Sequence, residues 1–196
     1  MNKTIVFASS NNHKVNEINL LLNPYGFKVL SLNELNLKID AEESGSTFKD
    51  NALIKARDIA SKTSYPVLAD DSGLSINALD GFPGVYSARF MEKSSYLDKC
   101  DELNKMLNGN KDRSCSFYCA LAYIDKTNNI EKVFIGETKG LLMEKYDDTS
   151  IDKFGYDPCF YSLELKKLFG HSTSDEKNSV SHRYKAVKQF IEYITK

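Results

Sequence analysis

Ala69-Asp70-Asp71-Ser72-Gly73-Leu74 sets two carboxylates side by side, directly after the apolar run Pro66-Val67-Leu68. Adjacent carboxylates repel, and each raises the other's pKa. A divalent cation offsets that cost, and hard cations such as Mg²⁺ take oxygen ligands. If a strand ends at this pair, Ser72 and Gly73 let the backbone turn sharply toward a ligand. The same six residues read equally well as an Asx-type turn that caps the next element.

Four other constellations bear on that choice. Glu42 and Glu43 form a second acid pair, and together with Asp70 and Asp71 they could hold a metal whose shell substrate phosphates complete. One carboxylate would then orient or deprotonate a water. Taken alone, Glu42 and Glu43 read as a solvated turn before a helix. Ser9-Ser10-Asn11-Asn12-His13-Lys14 is a polar loop between a strand and a helix, where free N–H groups meet anions. It contains no glycine, so it is neither a Walker loop nor a dinucleotide fingerprint. Its bland reading is a Ser or Asn helix cap with Lys14 in solvent. Asp175-Glu176-Lys177 followed by Ser181-His182-Arg183 offers a clamp for an anion or a nucleobase, or ordinary surface charge. Phe154-Gly155-Tyr156-Asp157 offers a ring to stack on a base and an acceptor for its N–H groups, or a tight loop over a core Phe.

The elements that must carry these residues read as α/β. Thr4 to Ala8 is a continuous apolar, β-rich run, as in a strand buried on both faces. Val15, Ile18, Leu21 and Leu22 recur at helical spacing until Asn23-Pro24-Tyr25-Gly26 stops them. Phe27 to Leu30 is a second strand, so the chain opens as a βαβ unit. Thr47 is a plausible N-cap for a helix to about Lys62, with Asn51 and Lys55 four apart on one side. Ser95 to Leu107 reads as a helix. Ser114 to Ile124 and Asn129 to Glu137 read as a hairpin, and Thr138 to Met143 extends the sheet. Gly170 to Asn178 reads as a polar loop before a helix over Val180 to Ile194.

Composition sets the bounds. With 196 residues, 41% of them hydrophobic and 27% charged, the chain suits one globular domain or two intimately packed lobes. A net charge of −1 gives no basic footprint for nucleic acid. Cys100, Cys115, Cys119 and Cys159 form no CxxC pair and no zinc spacing, so they read as reduced thiols in a reducing compartment. The N-terminal apolar run is too short for a signal peptide, and no run is long enough to span a membrane. A cytoplasmic protein is expected.

The order and spacing of the motifs carry more than any one of them. Ser9-x-Asn11-x-x-Lys14, Glu42-Glu43-Ser44-Gly45-x-Thr47-Phe48, Asn51-Ala52-x-x-Lys55-Ala56, Ala69 to Leu74, Gly81-x-Pro83-Gly84-x-Tyr86-Ser87-Ala88-Arg89, Phe154 to Pro158 and Glu176-Lys177-x-x-x-Ser181-His182-Arg183 follow in that order along nearly the whole chain. This pattern resembles the inosine triphosphate pyrophosphatase family. The resemblance implies a single domain over 1–196 with a long mixed sheet flanked by helices, in two lobes with a central active-site cleft. It implies hydrolysis of ITP, dITP and XTP to monophosphate and pyrophosphate, with Mg²⁺ or alternatively Mn²⁺, in a homodimer.

Position by position, the resemblance makes Ser9, Ser10, Asn11, Asn12, His13 and Lys14 a triphosphate loop. Lys55 and Lys177 become further cations near the phosphates. Asp71 becomes the acid that ligates metal and activates water, with Asp70 and Lys14 in support. Glu43 or Glu42 becomes the second metal ligand. Ser72 contacts substrate, Phe154 stacks on the base with Gly155 and Tyr156 beside it, and Asp157, His182 and Arg183 stand near the base edge. One departure is Ser10, where the family usually has glycine; a positive φ there would strain a serine. Two other readings remain: a house-cleaning pyrophosphatase for other modified nucleotides, and a nucleotide-binding module without turnover.

Overall fold

The computed structural model describes residues 3–145 and 155–195. The strands are β1 (Lys3–Phe7), β2 (Phe27–Ser31), β3 (Val67–Ile76), β4 (Ser114–Asp125), β5 (Ile130–Leu142), β6 (Phe160–Ser162) and β7 (Lys167–Leu168). They form one mixed sheet in the order β2-β1-β3-β4-β5-β6-β7. The helices are α1 (Asn12–Leu22), α2 (Phe48–Lys62), α3 (Tyr96–Met106), α4 (Ser174–Val180) and α5 (His182–Ile194). This is the α/β class expected, and no helix among the described residues is long and apolar enough to cross a membrane.

The opening βαβ unit forms as its periodicity requires. β1 pairs in parallel with β2, Ile5 opposite Val29, and with β3, Phe7 opposite Leu68. Successive strand residues face opposite ways, and β1 is buried on both faces. Ile5 and Phe7 pack with Ile18 and Leu22 of α1 and with Val187 and Phe190 of α5. Val6 and Ala8 pack with Ala52, Ala56 and Ile59 of α2.

Two compact units are present. The first comprises Met1–Asp71, Cys119–Gly136 and Arg183–Lys196, and holds both of those apolar clusters. The second comprises Ser72–Tyr118 and Glu137–His182. Its core gathers Leu74, Ile76, Leu103, Phe117, Tyr156, Phe160 and Phe169.

Four expectations need correction. First, β3 does not end at the acid pair: it runs on to Ile76, so Asp70 and Asp71 lie inside a strand. Gly73 serves close approach rather than a turn, since a Cβ there would lie 2.6 Å from the Gly84 carbonyl oxygen. Second, the stretch expected as a polar loop contains α4. Thr173 and Glu176 cap it reciprocally, each side chain bonding the other's backbone N–H. Third, α1 starts at Asn12, so Asn12, His13 and Lys14 form its first turn rather than a loop.

Fourth, the cysteines are not all reduced. Cys100 of α3 and Cys159 form a disulfide with Cα atoms 6.4 Å apart, while Cys115 and Cys119 are free and buried. A pairing across 59 residues leaves no trace in local spacing. Cysteine usage therefore gives no argument for a reducing compartment. Alkylation of the denatured, unreduced protein should modify two of the four thiols, and all four after reduction. Four adducts without reductant would exclude the bridge. Reduction should cost about 2–4 kcal/mol of stability, because it releases a long closed loop in the unfolded chain.

Candidate active site

The strand alternation decides what the two aspartates can do. Val67 and Ala69 face α2, and Leu68 faces α1 and α5. Continuing that period, Asp70 faces α1 and α5 and Asp71 faces α2. Their side chains leave the strand on opposite faces of the sheet, Asp70 toward Lys14 and Arg183, and Asp71 toward Asn51 and Lys55.

Asp70 is buried and surrounded by cations. Lys14 Nζ lies 3.1 Å from both carboxylate oxygens, and Arg183 donates through Nη2 at 3.1 Å and Nε at 3.3 Å. Burial alone would push this carboxyl up. Lys14, Arg183 and Lys55 outweigh it and hold Asp70 well below the usual carboxylate range. Arg183 also donates to Glu17 of α1 through Nη1. Glu17 escaped the sequence reading; its one signal was a place three residues after Lys14, on the same helical face.

Asp71 is treated in the opposite way. Burial pushes its carboxyl up, Lys55 and Lys14 offset only part of that, and Glu43 and Asp70 add to the rise. Its Oδ1 lies 3.3 Å from Lys55 Nζ, and its Oδ2 accepts from Asn51 Nδ2 at 3.2 Å. Lys55 also reaches Glu43 Oε1 at 3.2 Å. Between the two neighbours left open by the sequence, Glu43 is thus the one that shares a cation with Asp71, while Glu42 is exposed. Burial disfavours the Lys55 ammonium, but Asp71, Asp70 and Glu43 together raise its pKa and keep it charged.

Asn11 caps α1, its Oδ1 accepting from the backbone N–H groups of His13 (3.0 Å) and Lys14 (3.3 Å). Ser9 Oγ accepts from the Asn11 N–H at 3.2 Å. The capping reading thus holds for Asn11, but Lys14 is bound to Asp70 rather than solvated. Ser10 is absent from the residues with positive φ, so a serine carries no strain there.

The second unit holds the remaining candidates, apart from Phe154, which lies outside the described residues. Gly155 takes φ +62°, a left-handed conformation that suits glycine. Tyr156 donates its hydroxyl to the Ser87 carbonyl at 2.8 Å. Asp157 and Lys177, both buried, form an ion pair. The His182 ring stacks on Phe117, centroids 5.0 Å apart. Ser72 follows Asp71 in β3. Arg183, expected near the base edge, has a side chain 2% exposed and bonded to Asp70 and Glu17. Lys55 is likewise held among carboxylates.

Two relatives named dITP/XTP pyrophosphatase are each 39% identical to the chain. That of Leptospira interrogans aligns over 195 residues, 99% of this chain and 98% of the relative. That of Clostridium perfringens covers 95% of each. The solved structure of a Ham1 protein from Coxiella burnetii superposes with a TM-score of 0.88 at 35% identity, and that from Staphylococcus aureus with 0.87 at 34%, each covering 98% of both chains. A model of the Ham1 family matches residues 5–193, and the chain belongs to that family.

Proposed function

We propose that this chain hydrolyses the triphosphates of deaminated purines, ITP, dITP and XTP, to the monophosphate and pyrophosphate. The observation that carries this reading is the pair of adjacent carboxylates on β3, Asp70 held by Lys14 and Arg183, and Asp71 held by Asn51 and Lys55. Asp70 stays ionised and anchors Lys14 and Arg183. Asp71, bonded at both oxygens beside Glu43, is held in one orientation, as a general base requires. The names of the relatives supply the substrate class.

In this reading Asp71 orients the attacking water and takes its proton. The water oxygen bonds to the α-phosphorus, the bond from that phosphorus to the bridging oxygen breaks, and pyrophosphate leaves. Lys14 and Lys55 neutralise charge on the triphosphate, which is most of what phosphoryl transfer demands. Base choice rests on a donor facing the 6-oxo group, which disfavours the amino group of adenine. A protein acting on the nucleotide pool fits a cytoplasmic setting, and a homodimer belongs to the same reading.

The donor set suits Mg²⁺. Glu43 and Asp71 both lie within 3.3 Å of one ammonium, and Mg²⁺ is commonly held by one or two carboxylates plus substrate phosphates. Among the described residues no group of three His, Cys, Asp or Glu could hold a metal alone. Glu43 and Asp71 would therefore hold the ion together with the substrate. When bound it would neutralise phosphate charge.

Pyrophosphate release should be fastest with ITP, dITP or XTP and should vanish in EDTA. Faster turnover of ATP or of pyrimidine triphosphates would overturn the substrate assignment. Nucleotide binding without turnover would make the protein a binding module.

A further inference from the structure

Asn51 is completely buried, and a buried amide is costly unless both its ends are bonded. Both ends are. Its Nδ2 donates to Asp71 Oδ2 at 3.2 Å, and its Oδ1 accepts the Gly45 backbone N–H at 2.8 Å. The orientation is forced by chemistry, since a carboxylate only accepts and a backbone N–H only donates. One helical turn later, Lys55 makes the matching pair of contacts, to Asp71 Oδ1 at 3.3 Å and Glu43 Oε1 at 3.2 Å. Two residues four apart on α2 thus hold one oxygen each of Asp71. The same two side chains also grip the segment carrying Glu43 and Gly45.

We infer that Asn51 is a positioning residue for the reaction, setting the plane of the Asp71 carboxylate and locking the Glu43 segment beside it. This rests on the reading of Asp71 as the general base. The torsion that turns a carboxylate about its Cβ–Cγ bond is broad. Held by Lys55 alone, the group would pivot about Oδ1. Held at both oxygens, it presents its remaining lone pairs in one direction, which proton transfer requires.

Residue choice follows from this double duty. Aspartate at position 51 could not donate, and its charge would face Asp71. Leucine would leave Asp71 Oδ2 and the Gly45 N–H unbonded. Serine is too short to reach both. Position 45 is equally constrained. A Cβ there would sit 2.7 Å from Asn51 Oδ1 and 2.6 Å from Asp50 Cβ, so glycine lets the segment approach.

The test compares Asn51→Ser, Asn51→Leu and Gly45→Ala with the wild type and with Asp71→Asn. Rates are expressed per binding site, counted by calorimetry with a non-hydrolysable ITP analogue. Each of the three should lose roughly 10- to 100-fold in kcat while KM for ITP stays within about threefold. Because Asn51 acts through Asp71, Asn51→Ser should cost nothing further in the Asp71→Asn background. A structural role would lower the number of binding sites and leave the rate per site unchanged; that result, or equal losses in both backgrounds, overturns the proposal. An inactive Asp71→Asn beside normal Asn51 variants overturns the positioning role alone. An Asp71→Asn enzyme of normal rate overturns the functional reading beneath it.

Discussion

Asp71→Asn is expected to lower kcat by about 10²–10⁴-fold, the range that a general base contributes, while the protein stays folded. Asparagine matches aspartate in shape and can still bond Asn51, but it cannot take a proton from water. The effect on stability has a definite sign. The folded carboxyl of Asp71 has its pKa raised, mainly by burial. Such a group contributes stability that is fully present below its unfolded pKa, near 3.9, and is lost as pH rises through its folded pKa. Above that window the wild type carries a buried charge that the fold disfavours, and the neutral amide of the variant removes it. The variant should therefore melt at least as high as the wild type at pH 8, and compare less favourably at pH 4. Thermal melts at the two pH values, with pyrophosphate assays beside them, decide it. A near-normal rate would remove Asp71 from its role, and a larger stability loss at pH 8 than at pH 4 would refute the electrostatics.

Much of this site was legible because its parts lie on periodic elements. The helical spacing of Asn51 and Lys55 put both on one side of a helix, and both reach Asp71. The apolar run Thr4 to Ala8 read as a doubly buried strand, and Ile5 and Val6 do enter opposite clusters. The failures share a cause, which is that they depend on tertiary neighbours. Ser72-Gly73 carries turn chemistry, yet Gly73 lies in a strand because Ser87 and Gly84 pack against it. The adjacent acids read as the end of a strand. Strand alternation sends them to different helices, and the alternation could be applied only once β3 was known to continue through them. Arg183 meets Asp70 across 113 residues and Glu17 across 166, separations at which no local pattern speaks.

Arg183→Met should be strongly destabilising. Methionine keeps much of the length and apolar character of the stem but strips the guanidinium from Asp70 and Glu17, whose side chains are 0% and 13% exposed. Breaking a buried ion pair from one side typically costs about 3–5 kcal/mol, because the remaining charge is left inside without its partner. For a chain of this size, that lowers Tm by roughly 10 °C. The pH dependence follows from the direction of the Asp70 shift. Its folded pKa is depressed, so it contributes stability that is present above the unfolded pKa, near 3.9, and is lost as pH falls through the folded value. Removing Arg183 raises the Asp70 pKa and forfeits that contribution at neutral pH. The gap between variant and wild type should be wide at pH 7 and narrow steadily below pH 4. Adding Asp70→Asn to Arg183→Met should recover part of the loss, since the stranded charge then disappears. Denaturant melts of the wild type, the two single variants Arg183→Met and Asp70→Asn, and the double variant across pH measure both effects. A loss under about 1 kcal/mol, the range of an exposed pair, or a gap that ignores pH, would mean that Lys14 alone sustains the Asp70 charge.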